Sequence, residues 1–145
     1  MSLEYRSDLI VAEEASPDAA TIQAFKEGVD DDNFASAGPD QYAPFWIIGR
    51  DTSGAVRAGA HGSTSWEWLF LDWLWVHESL RHRGIGSDLV ECVEGIARQR
   101  RCRGVFLNTY SFQAPRFYQR LRYEEFGRLD GMPPGHCRIW FAKRL

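Results

Sequence analysis

The sequence predicts an α/β protein of the α+β kind: a mixed, mostly antiparallel central sheet flanked by helices, with one parallel crossover. Three observations predict it. Ile85, Leu89, Val93 and Ile96 recur at helical spacing within residues 84–100, which marks an amphipathic helix. Apolar, β-forming runs at 66–76 and 105–107 stand on either side of that helix, the strand–helix–strand order that makes two strands parallel. Elsewhere short β-rich segments follow one another through turn-forming residues, as antiparallel neighbours do.

Taken in order, residues 9–12 read as a short strand. Ser16-Pro17-Asp18 reads as a helix start, with Ser16 as N-cap and Pro17 at the first helical position. Ala20, Ile22, Phe25 and Val29 mark one face of that helix, and Asp30-Asp31-Asp32-Asn33 opposes its dipole, so it is expected to fray there and give way to a loop over 33–43. Residues 45–48 form a strand, 51–54 a turn and 55–62 a second strand. The run 66–76 is almost continuously apolar, which predicts a central strand covered on both faces. After the helix at 84–100 come a buried strand at 105–107 and a short helix over 114–121, with Phe117 and Leu121 on one face. Strands near 123–128 and 136–142 follow, joined by Gly131-Met132-Pro133-Pro134-Gly135.

With 145 residues and 44% apolar content, the chain suits one domain, 1–145, with a sizeable core. No run has the apolar length of a membrane span, and residues 1–6 show no signal-peptide pattern, so a cytoplasmic location is expected. Cys92, Cys102 and Cys137 fit neither a zinc pattern nor a disulfide framework, and Cys92 falls on the helical apolar stripe. His61, His77, His82 and His136 lack ligand spacing, so no metal is expected. Residues 1–72 hold 13 acidic and 4 basic side chains, and residues 73–145 hold 7 acidic and 13 basic. That asymmetry is either a chance of folding or a basic half facing an anionic ligand and an acidic half facing a cationic one.

Arg81-His82-Arg83-Gly84-Ile85-Gly86-Ser87 lies between the apolar run and the main helix. Two glycines allow close approach of a backbone, the helix start supplies unpaired N–H groups, and two arginines add charge, which together suit a phosphate-bearing ligand. A Rossmann fingerprint is excluded because Leu89 stands where its third glycine belongs, and a P-loop because no Gly-Lys-Ser/Thr occurs. A structural turn with no ligand remains the bland alternative.

With Arg81-x-x-Gly84-x-Gly86 followed by Ser111, Ala114, Tyr118, Arg122 and Tyr123, the chain resembles the GNAT superfamily of N-acetyltransferases. Their two motifs are Gln/Arg-x-x-Gly-x-Gly/Ala and Asn-x-x-Ala-x-x-x-Tyr-x-x-x-Gly-Phe. Ser111 replaces the usual Asn and Arg122 the usual Gly. The resemblance covers roughly residues 55–145.

It implies acetyl-CoA as cosubstrate, a small-molecule amine as acceptor and, by family habit, a homodimer; it implies no nucleic-acid or membrane partner. Arg81, Arg83, Gly84, Ile85, Gly86 and Ser87 would bind the pyrophosphate, and Ser111 the cofactor arm. Leu74, Trp75 and Val76 would meet the pantetheine along a strand that splays from its neighbour. Tyr118 stands where the family places the general acid. Asp72 is a candidate base: four residues before Val76, it shares that residue's face in a regular strand, and burial would raise its pKa; a bulge would break that parity, and a water chain is the alternative. Trp66, Trp68, Trp73 and Trp75 read mostly as core, with those near the strand end free to line an acceptor pocket. A non-catalytic CoA-binding module is the rival function, and a nucleic-acid binder using the arginines at 98–103 a weaker third.

Overall fold

The computed structural model describes residues 2–4 and 9–145, in two compact units divided after Pro39. In the first, β1 (Ser2–Glu4) and β2 (Ile10–Ala12) pair antiparallel and are followed by α1 (Ala19–Ala37). The helix starts at Asp18 rather than Ser16, because the Asp18 carboxylate accepts the Thr21 N–H at 2.7 Å and adds a charge suited to the helix dipole. Nor does α1 fray at the aspartates. It runs on to Gly38, which at φ 75° turns its N–H onto the Phe34 carbonyl, a stop that glycine makes without strain.

The second unit, Asp40–Leu145, is built on six strands. They are β3 (Ala43–Arg50), β4 (Val56–Ser65), β5 (Trp68–Val76), β6 (Gly104–Tyr110), β7 (Glu124–Asp130) and β8 (Cys137–Arg144), in the order β3-β4-β5-β6-β8-β7. Only β5 and β6 are parallel, joined through a 3₁₀ turn at Glu78–Leu80 and α2 (Ile85–Gln99). The short α3 (Pro115–Arg120) lies between β6 and β7. This is the mixed, mostly antiparallel sheet with one parallel crossover that the sequence predicts. The run 66–76 proves to be a hairpin end as well as a strand: Trp66 and Glu67 take positive φ (43° and 62°) and form the β4–β5 turn.

One face of the sheet carries the core. Leu69, Leu71, Val105, Leu107, Ile139 and Phe141 pack there with Val90, Val93 and Ala97 of α2 and Tyr118 of α3. Within this unit no helix covers the opposite face. Trp46, Trp66, Trp73 and Trp75 are 59%, 44%, 59% and 46% exposed, so of the four tryptophans of 66–76 only Trp68 is half-buried, and β5 is not buried on both sides. Cys92 is also exposed; the position on α2 that turns inward is Glu94, between buried Val93 and Ala97. Its carboxylate accepts from Lys143 Nζ at 2.7 Å, from Arg98 at 3.3 Å and from the Tyr123 hydroxyl at 3.3 Å, the partnering that a buried charge requires. Arg100 donates to the Ala43 and Pro44 carbonyls and Arg103 pairs with Glu67, so these arginines pin strand ends.

Helix α3 ends in a Schellman turn: the Tyr123 N–H bonds to the Tyr118 carbonyl and the Arg122 N–H to that of Gln119, both at 3.0 Å. Arg122 occupies the glycine position at φ 66°, where an L side chain costs about 1–2 kcal/mol. Glycine there would recover that cost less its own chain entropy, about 0.5–1 kcal/mol. Arg122→Gly is therefore expected to raise the midpoint of thermal unfolding by about 3 °C. A lowered midpoint in a calorimetric scan would mean that the arginine side chain holds more than its backbone loses.

Candidate active site

The site is set by one extra residue. Along the β4–β5 ladder His61 faces Trp73 and Gly62 faces Leu71, so Asp72 is left over as a β-bulge. At the same point the parallel pairing of β5 with β6 stops: residues 68–71 pair with 104–107, and beyond Leu71 the two strands part. The expected splay is thus present, and the bulge marks its apex.

The bulge also reverses which side chains face the helices. Leu69 and Leu71 point to the core, and after Asp72 it is Leu74 and Val76 that do so, opposite Ala60 and Ala58. Asp72 therefore does not share a regular strand's face with Val76, and it is exposed rather than buried. The parity on which burial of this carboxylate was expected fails because the chain contains one residue too many for it.

Backbone phase decides which groups line the splay. The His77 N–H bonds to the Arg57 carbonyl at 2.8 Å, which fixes the alternation along β5. Trp75 exchanges its backbone bonds with Gly59 on β4, whereas Leu74 and Val76 turn their N–H and C=O groups to the open edge. Arg81 Nε donates to the Val76 carbonyl at 3.0 Å. Leu74 thus offers backbone groups to a ligand, Trp75 only its side chain, and Arg81 braces the strand end.

The start of α2 stands beyond the same strand. Gly84 is its N-cap at φ 84°, a conformation natural to glycine, and no side chain caps the helix. The N–H groups of Ile85, Gly86 and Ser87 have no partner among the described residues, and Asp88 is the first to bond back, to the Gly84 carbonyl at 3.0 Å. Three free donors at the positive end of a 15-residue helix are an arrangement that suits an anion. Arg83 is exposed beside it. A Cβ on Gly86 would come within 3.3 Å of the Phe117 ring, so this glycine also lets α3 approach α2.

Tyr118 is buried on α3 among the rings of Phe117, Tyr123 and Phe141, with centroids 5.0, 5.9 and 6.3 Å away. Burial pushes its hydroxyl pKa up to about 12, so it remains a proton donor at neutral pH. Burial likewise raises Tyr123, reinforced by the Glu94 carboxylate. Ser111 is engaged with β8: its Oγ accepts the Cys137 N–H at 3.1 Å and lies 3.3 Å from His136 Nδ1. The α2 start and the open edge of β5 lie on one crossover, the Phe117 ring of α3 stands close to Gly86, Tyr118 lies in the core cluster, and Ser111 is bonded on the β8 side. Glu94 escaped the sequence reading, although its spacing from Val90 and Ala97 places it on the buried stripe.

Residues 10–123 match the model of the acetyltransferase (GNAT) family. The blasticidin-S acetyltransferase of Streptomyces morookaense is 40% identical over 93 residues, 63% of this chain and 68% of that protein. A crystal structure of an acetyltransferase from Bacillus cereus superposes with a TM-score of 0.82 at 31% identity, covering 92% of this chain and 98% of that one. A Bacillus anthracis structure described as a streptothricin acetyltransferase, solved with acetyl coenzyme A, shares the fold at a TM-score of 0.62 and 16% identity, over 70% of this chain and 62% of that one.

The two raised tyrosines give a signed dependence of stability on pH. In the unfolded chain they ionise near pH ~10; in the folded protein they hold their protons longer. Both contributions are complete below about pH 10; that of Tyr118 is lost as pH rises towards about 12, and that of Tyr123 goes on falling at higher pH. In Tyr118→Phe, urea unfolding followed between pH 9 and 11.5 should show a shallower fall than in the parent. An identical slope would place the ionising group elsewhere.

Proposed function

The chain belongs to the acetyltransferase (GNAT) family, and from that premise we propose that it moves an acetyl group from acetyl-CoA to the primary amine of a small, cationic molecule by direct attack. The observation that carries this reading is the pairing of an uncapped α2 start with the unpaired edge of β5, a phosphate site and a thioester site on one connection. Its relative acts, by name, on blasticidin S, which supports a small-molecule acceptor.

Acetyl-CoA supplies an activated acetyl thioester and a thiolate leaving group. The N–H groups of Ile85, Gly86 and Ser87, with Arg83, would hold its phosphates. The Leu74 backbone would align the pantetheine arm, and an N–H on this edge would polarise the thioester carbonyl as negative charge develops on its oxygen. Tyr118 would give its proton to the departing sulfur; a hydroxyl that stays protonated to about pH 12 can do so throughout the neutral range. Asp72, exposed at the bulge, would take the ammonium proton directly or through water.

Thiol release from acetyl-CoA, measured against a panel of amines, tests the reading. Amine-dependent release is expected; acetyl-CoA binding without turnover on any amine would favour a non-catalytic CoA-binding module. Tyr118→Phe should lower kcat by roughly 10²-fold with unchanged calorimetric affinity for acetyl-CoA. Arg83→Glu should weaken that affinity by about 10-fold at low salt and less at high salt, because the charge it reverses is exposed and screened. Salt-independent binding in Arg83→Glu would move the phosphates away from the α2 start.

A further inference from the structure

We propose that the groove on the sheet face opposite α2 and α3, walled by Trp46, Ile48, His61, Trp73 and Trp75, seats a flat aromatic ring of the acceptor, which carries its amine on a short alkyl arm. The inference rests on the acetyl-transfer reading above and deepens it by naming the substrate class.

The groove follows from two cross-strand rows on β3, β4 and β5. In one, Trp46, His61 and Trp73 stand side by side; in the next, Ile48, Gly59 and Trp75 do. The first row is filled with rings. Trp46 stacks on His61 at 3.8 Å and 13°, and Trp73 meets Trp46 edge-on at 5.7 Å. The second row has no side chain at its centre, because Gly59 is there. Beside it lies a trough of about 210 Å³ between Ile48 and Trp75, with Gly59 in its lining and the ring row behind it. A cavity of roughly 150 Å³ holds benzene, so this trough suits one ring or two fused rings.

Its walls are fixed before any ligand arrives. His61 Nδ1 lies 2.8 Å from the Phe45 carbonyl, which locks the imidazole against Trp46. The lining contains no carboxylate, lysine or arginine. Recognition there runs through π faces, which stack on aromatic rings and attract cations. Asp72, exposed, adjoins Trp73 in sequence, and no side-chain partner holds it among the described residues.

The position relative to the reaction is set by topology. The anion site and Tyr118 belong to the helix-covered face, so the acyl donor enters the splay from that side and the acceptor must come from the other. Trp73 and Trp75 lie on β5, the strand whose far edge is the open one. From the trough to that edge is one strand spacing, about 4.8 Å, a distance that two or three methylenes span. A ring in the trough with an ammonium on such an arm places the nitrogen at the splay.

Phenethylamine, with a ring and a two-carbon arm, and cadaverine, with no ring, separate the possibilities. Each is assayed as an acetyl acceptor, and each is titrated calorimetrically without acetyl-CoA. The expected result is tighter binding and a lower KM for phenethylamine. Trp73→Leu, and Ile48→Trp as a trough-filling variant at a half-exposed position, should each raise the phenethylamine KM by about 10-fold while the cadaverine KM moves less than about 2-fold. Equal changes for both amines, or parental binding of phenethylamine in both variants, would overturn the proposal. Acetylation of cadaverine with no binding of phenethylamine rejects the trough and leaves the transfer reading standing. Variant-sensitive binding of phenethylamine with no acetylation of any amine does the reverse. Absence of both binding and turnover rejects both.

Discussion

Everything that distinguishes the two faces of this sheet depends on the extra residue at position 72. A strand with one residue more than its partner cannot keep both its register and its side-chain parity. Up to Leu71, β5 is an ordinary central strand, bonded on both edges. After Asp72 it is bonded only to β4, and its outward set has become its inward set. Had the ladder continued regularly, Trp73 and Trp75 would point into the space filled by α2 and α3, Leu74 and Val76 would face away, and β6 would close the edge. The opened edge and the aromatic face are two results of one insertion.

An opened edge leaves backbone donors and acceptors unmatched in the middle of a sheet, which costs about as much as the hydrogen bonds forgone. The chain limits that cost locally. Arg81 satisfies the Val76 carbonyl from outside the sheet, and Phe117 and Leu121 of α3 pack on the core cluster beside the splay without closing it. The Schellman turn that ends α3 sends the chain straight into Tyr123, whose hydroxyl is tied to Glu94 and whose ring supports Tyr118. The strained φ of Arg122 is therefore placed at a turn that cannot be relaxed without moving the ring beneath the site.

The fold was legible wherever local periodicity and tertiary demand agree. The α2 stripe, the β7–β8 pair and the parallel crossover all emerge as the pattern predicts, and α2 begins at the first glycine of the motif. The failures have a common origin. A helical stripe drawn through Ile85, Leu89 and Val93 leaves open which neighbouring position closes it, and α2 chooses Glu94, because Lys143 and Tyr123 arrive from β8 and the α3 turn to satisfy it, while Cys92 turns to water. Asp72 was misplaced because a bulge is a property of a pair of strands, and no single strand's sequence contains it. Trp46 and His61 were missed as a unit for the same reason: they are 15 positions apart in the chain and adjacent only through the β3–β4 register.

The two arginines of the motif show how one pattern divides its labour. In sequence, Arg81 and Arg83 are equivalent positive charges before a helix. In the structure His82 intervenes between them at φ 59°. Arg81 folds back onto the Val76 carbonyl, and Arg83 is left exposed at the α2 start. One arginine fixes the geometry between strand edge and helix end, and the other adds charge at that end. The α2 start and the open edge of β5 are consequently held in register by a bond within the chain, and under the proposed function the binding energy of phosphates at α2 would be available to position whatever lies along β5.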